Sequence, residues 1–152
     1  MLKLRKNKKG FTLVELIVVI AIMAVLAGTV AGVTVTQLNK QTDNTNKSQA
    51  KAVADFISTK IIEESLDITE ADNTIISDTG TIGKALKDQY SGVVTLGTNG
   101  QRGKTIGVTF SADNDCFYVV YEGKQGDNKG NVKYKINDEA VVEKVSEGEA
   151  IA

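Results

Sequence analysis

One stretch limits the chain more than any other: between Phe11 and Val35 the only charged side chain is Glu15. At 1.5 Å per residue such a run forms a helix of roughly 37 Å, long enough to cross a bilayer with some tilt. A surface this apolar has to be covered by lipid or by protein. Charge is segregated around it. Lys3, Arg5, Lys6, Lys8 and Lys9 precede the run, and no acidic residue precedes Glu15. Basic residues on the N-terminal flank keep that end cytoplasmic and send the C-terminal part across the membrane.

A cleaved secretory signal is the first rival reading, with small residues at Ala27-Gly28-Thr29 and Ala31-Gly32-Val33 as cleavage candidates. Such signals have a shorter apolar core of about 7–15 residues. Gly28 and Gly32 stand four apart among β-branched neighbours. That spacing fits close helix packing or a stretch able to loosen. It also fits ordinary membrane-helix composition, in which glycine is frequent.

Beyond Val35 the helix continues with a different character. Thr36 to Lys47 is almost entirely polar. From Ala50 the pattern is amphipathic: Ala50, Val53, Ala54, Ile57 and Ile61 recur at helical spacing, widened by Phe56 and Ile62, while Asp55, Lys60, Glu63 and Glu64 fall off the stripe. Residues 66–152 read as a small domain. Ile82 to Tyr90 suits a short helix. Strand-like runs follow at Gly92–Leu96, Lys104–Phe110, Cys116–Glu122 and Asn131–Ile136, with Val141–Val145 as a weaker one, separated by turn-rich segments that include Asn99-Gly100. The expected fold is α+β: a long N-terminal helix, half membrane-embedded and half amphipathic, packed on an antiparallel sheet of three to four strands. The expected segments are a leader (1–10), a membrane helix (11–35), its amphipathic continuation (36–65) and the sheet domain (66–152).

Composition argues against catalysis. The chain has no histidine, hence neither the commonest general base nor the commonest metal ligand. Its single cysteine, Cys116, makes no intrachain disulfide. It heads Cys116-Phe117-Tyr118-Val119-Val120-Tyr121, apolar on both faces, which places it in a buried central strand. Asp113-Asn114-Asp115 and Asp127-Asn128 offer oxygen ligands without a complete calcium-loop spacing and read as solvated turns. No metal or cofactor is expected. Asn46-Lys47-Ser48 is a glycosylation sequon, a pattern too common to carry weight. No basic patch for nucleic acid is expected outside the head.

The octet Lys8-Lys9-Gly10-Phe11-Thr12-Leu13-Val14-Glu15, followed by the apolar helix, resembles the type IV pilin family, with a class III-type signal. The resemblance is close from Lys8 to about Val35. It implies a prepilin peptidase cutting between Gly10 and Phe11 on the cytoplasmic side and methylating the new amine of Phe11. It further implies membrane residence before assembly, then addition to an extracellular helical filament by an assembly ATPase and a membrane platform. Adhesion, surface motility or biofilm formation would be the roles of that filament. A minor pilin, a secretion pseudopilin and a single-pass anchored binding domain are the alternatives. Proline, frequent in the membrane helix of pilins, is absent, so Gly28 and Gly32 would supply any loosening. The missing disulfide and histidine bring the chain nearer to pilins of Gram-positive anaerobes.

The residues themselves support those roles. Glycine lets the chain lie extended in a narrow cleft because it has no Cβ. Glu15 is an ionisable group in a membrane segment, a rare and usually functional placement. A cut after Gly10 creates a cationic amine at the helix start. In a bundle of parallel helices, that amine and the Glu15 of a neighbouring copy form a pair that sets register, since an unpaired charge in a dry bundle is costly. The simpler reading is a carboxylate in the first helical turn, favoured there by the helix dipole.

Overall fold

The computed structural model describes residues 10–66, 68, 76–124 and 130–146. The basic residues of the head, Ile75 and the Asp127-Asn128 pair lie outside them. The element order is α1 (Leu13–Glu63), α2 (Thr81–Gln89), β1 (Val94–Leu96), β2 (Ile106–Ser111), β3 (Cys116–Tyr121), β4 (Val132–Ile136) and β5 (Val142–Lys144). The chain divides into two compact units, Met1–Leu38 and Asn39–Ala152, and α1 contributes to both.

In the first unit the described side chains of α1 are mostly apolar and exposed. It is the one described helix long and apolar enough to cross a membrane, and none of its apolar window is buried. Its hydroxyls are satisfied internally. Thr29, Thr34 and Thr36 donate to the carbonyls of Leu26, Val30 and Gly32 at 3.0, 2.8 and 3.3 Å, as a lipid environment requires.

In the second unit the rest of α1 lies on a five-stranded sheet of order β1-β2-β3-β4-β5. The predicted stripe is the buried face: Ala50, Val53, Ala54 and Ile57 are fully buried and Ile61 nearly so. They meet Val108, Phe117, Val119, Tyr121, Val132 and Ile136 from the sheet. Burying a side chain such as Ile57 contributes on the order of 2–3 kcal/mol. Ile82 and Leu86 bring α2 onto the same core, and Ile76 docks beside them. Phe56 packs edge-on against Tyr90, with ring centroids 5.7 Å apart.

Three expectations change. Ile62 does not widen the stripe; it is 66% exposed, because one residue past Ile61 turns a side chain about 100° away and the helix ends at Glu63. The sheet has five strands, since Val142–Lys144 pairs with β4. The sheet is also not antiparallel throughout. β2 to β5 form an antiparallel meander, but β1 runs parallel to β2, with Val94 opposite Ile106.

Parallel neighbours ordinarily need a long crossover. Here residues 97–105 fold back over β2 instead, tied by Gly97 N–H to the Val108 carbonyl at 2.7 Å and by Gln101 N–H to Thr105 Oγ1 at 2.9 Å. Gly107 permits this path: a Cβ there would lie 2.0 Å from the carbonyl carbon of Asn99. The Asn99-Gly100 turn thus belongs to a loop crossing the sheet face.

Cys116 is fully buried at the head of the central strand β3, with Ser111 as its cross-strand partner. Tyr118, on the same side of β3, lies under the ammonium of Lys133, 4.5 Å from the ring centre.

Candidate functional site

The helix start is built by local bonds. Gly10, Phe11 and Thr12 precede α1 in non-helical backbone. Thr12 then caps the helix: its hydroxyl accepts from the N–H of Glu15 at 3.3 Å, while Glu15 Oε2 accepts from the Thr12 N–H at 2.8 Å and from its hydroxyl at 2.9 Å. This reciprocal arrangement is a capping box, which satisfies helix-end donors that would otherwise be orphaned. Its sequence form, Thr-x-x-Glu, is legible in the octet. The box fixes where α1 begins and leaves the Gly10–Phe11 bond in non-helical chain just ahead of it. In the single chain, then, Glu15 is engaged within its own first turn.

Phe11 is 86% exposed, and nothing stands within 4 Å of where a Cβ of Gly10 would be. The same holds for Gly28 and Gly32 farther along the helix. The structure therefore brings Phe11 and Glu15 to one helix end and leaves Gly28 and Gly32 on an uncovered apolar surface. Chemically, this end offers a cleavable peptide bond, a latent amine and a carboxylate one helical turn away.

Elsewhere the structure places the remaining candidates in structural roles. Asp113-Asn114-Asp115 forms the exposed β2–β3 turn, where Asn114 donates to Ser111 Oγ at 3.2 Å. The Asn46 amide of the sequon donates to the hydroxyl of Tyr121 at 3.0 Å and is half-buried, so it is engaged with the sheet. Among the described residues no three His, Cys, Asp or Glu side chains gather as metal ligands.

Sequence reasoning missed Asp43. This carboxylate is 5% exposed. Its Oδ1 accepts from the Tyr121 hydroxyl at 2.9 Å and from the Lys124 N–H at 3.0 Å. It fastens the end of β3 and the start of the following loop to α1. Gly130, which closes that loop, passes close enough that a Cβ would stand 3.0 Å from Asp43 Oδ2. Burial is the first cause that raises the Tyr121 pKa above its ordinary value; the Asp43 bond adds to it, and the Asn46 bond opposes it. The signal was available: counting back from Ala50 by four and by seven reaches Asn46 and Asp43, on the buried face.

Residues 5–31 match the family model of the prokaryotic N-terminal methylation motif, the class III signal of type IV pilins. The match covers the end of the basic head, the capping box and most of the exposed apolar helix. No solved structure matches the chain. The motif is that of a type IV pilin-like or pseudopilin protein, a membrane-anchored substrate of prepilin peptidase in pilus or secretion machinery. It is a structural motif rather than an enzymatic one.

Proposed function

We propose that this chain is the structural subunit of a type IV pilus, polymerising through the exposed face of α1 into an extracellular filament that serves adhesion, surface motility or biofilm formation. The observation that carries the reading is an apolar helix face that none of the described residues covers, headed by a single carboxylate and preceded by Gly10-Phe11. A membrane covers such a face before assembly. Other copies of the same helix cover it afterwards, with comparable apolar contact and without water.

In this reading prepilin peptidase cuts between Gly10 and Phe11 and methylates Phe11, and an assembly ATPase with its membrane platform adds the subunit to the filament base. Glu15 then leaves its bonds to Thr12 and pairs with the Phe11 amine of a neighbouring copy. The contact is heterologous, and repetition of a heterologous contact that does not close gives an open helical fibre. Gly28 and Gly32 allow neighbouring helices to approach closely.

Mass spectrometry of the mature chain, taken from sheared surface material, tests the reading. The expected product begins at Phe11 and carries one methyl group on its amine. An intact head in membrane fractions with none in the sheared fraction would identify an anchored domain instead. A processed, methylated chain that remains with the cell envelope would identify a pseudopilin. Glu15→Val is expected to be processed but to assemble poorly; normal assembly would remove the pairing role.

A further inference from the structure

The sheet-bearing unit is polarised. At one end, α1 begins its packing at Asp43, and Asp43 holds the Lys124 backbone. The side chain of Lys124 is exposed there, with Lys40 a turn earlier on α1. Arg102 and Lys104 join them, because Gly103 between them donates to the carbonyl of Glu122 at 2.7 Å and packs against Lys124. Among the described residues the acids at this end are Asp43, which is buried, and Glu122, whose carboxylate lies 4.0 Å from Arg102 Nε.

The opposite end is acidic. Ser58 donates to the carbonyl of Ala140 at 2.6 Å, which brings the β4–β5 turn to the last turns of α1. Exposed Asp138 and Glu139 belong to that turn, Glu63 ends the helix and Glu64 follows it. Phe117 pairs with Ile136, so the β2–β3 turn, with Asp113 and Asp115, lies at this end too. Lys60 bridges Glu63 at 3.0 Å and Glu64 at 3.7 Å and offsets one of these charges. From Asp43 to Glu63 the helix rises about 30 Å. The screening length in physiological salt is about 8 Å. The two ends therefore neither cancel nor appreciably attract one another, and each presents its own sign to whatever meets it.

We infer that these ends are complementary docking surfaces for a second copy of the same chain, the basic end of one sheet-bearing unit (Lys40, Arg102, Lys104, Lys124) resting on the acidic end of the next (Glu63, Asp113, Asp138, Glu139). Parallel copies translated along a common axis bring opposite ends together, which a two-fold dimer does not. The contact is of the head-to-tail kind that propagates. Complementary charge fixes register and rejects shifted neighbours. An anionic lipid surface would account for the basic end but gives the acidic end no partner, so a second copy is the better fit. The inference rests on the filament reading and assigns the contact its outer surface.

Charge reversal in the full-length chain, in cells that process and assemble it, tests the contact. Arg102→Glu with Lys124→Glu alters the basic end, and Asp113→Lys with Glu139→Lys alters the acidic end. Each pair is expected to lower sheared filament by about tenfold, with the processed subunit at wild-type level in the membrane. All four changes together are expected to restore most of the yield, because the contact is rebuilt with its signs exchanged. Loss from the basic-end pair alone, without loss from the acidic-end pair and without rescue, would overturn the inference in favour of lipid docking. Wild-type yield from both pairs, alongside failure of Glu15→Val, would overturn it while leaving the filament reading in place. Absence of filaments from the wild type would overturn both.

Discussion

Asp43 shows how a single side chain can decide where a helix begins to belong to a domain. Five residues beyond the end of the first unit, it accepts bonds from a side-chain hydroxyl and a backbone N–H of the sheet. Replacing it by alanine leaves a buried hydroxyl and a part-buried N–H without their acceptor, so Asp43→Ala is expected to lower the unfolding free energy by about 1–3 kcal/mol, read from urea curves. The same curves give a pH dependence. The folded state raises the Tyr121 pKa above 10.0 and so binds its proton more tightly than the unfolded chain does. The resulting contribution is fully present below pH 10 and is lost as the pH rises through the higher folded value. Wild-type stability is expected to fall above pH 10, with that component absent in Tyr121→Phe. Asp43 was hidden in the sequence because it sits in a polar run. Helical periodicity is visible only where apolar residues mark it.

Among elements, the two helical parts of α1 were the most legible. The stripe from Ala50 to Ile61 is dictated by periodicity, and the sheet supplies what that face lacks. The strands were found for a similar reason, since β-branched and aromatic runs between turn residues leave few alternatives. Their pairing was not legible throughout. Two adjacent strands joined by a loop containing Asn-Gly read as a hairpin, yet β1 and β2 are parallel. The deciding residue is Gly107, whose missing side chain makes room for the loop. Gly107→Ala is accordingly expected to destabilise by about 2–3 kcal/mol, through a clash with backbone that cannot rotate away. Thermal unfolding checks it, and a loss below about 0.5 kcal/mol would show that the loop yields easily.

At the scale of the molecule, the chain divides its problem in two. The described part of the first unit has an apolar surface and no buried side chain. The second has a core that draws on α1, α2 and the sheet. Among the described residues its buried side chains are Asp43 and those of the core between residues 50 and 140, so its stability does not depend on the apolar half of α1. Residues 39–152, expressed alone, are therefore expected to fold cooperatively and remain monomeric in water at micromolar concentration, whereas the full chain needs detergent or lipid. Far-UV circular dichroism with analytical ultracentrifugation checks this. The candidate site was legible for the opposite reason to the core. The Gly10, Phe11 and Glu15 signal is local, carried by consecutive residues and their charges, and needs no tertiary contact to be recognised. The polarity of the second unit was invisible in the sequence, because residues as far apart as Glu63 and Glu139 meet at one end only through the topology.

The two attachments of the helix to the sheet have a mechanical meaning. Asp43 binds the sheet near one end of the shared interface, and Ser58 binds it near the other, through the Ala140 carbonyl at 2.6 Å. Between them lies most of the apolar stripe, from Ala50 to Ile57. A pull along the helix axis loads all of these contacts side by side, in shear, so they have to yield together. A peeling force would open them one after another. A single-cysteine domain has no covalent brace against traction, and fastening the sheet at both ends of the loaded rod provides the resistance that such a brace would give.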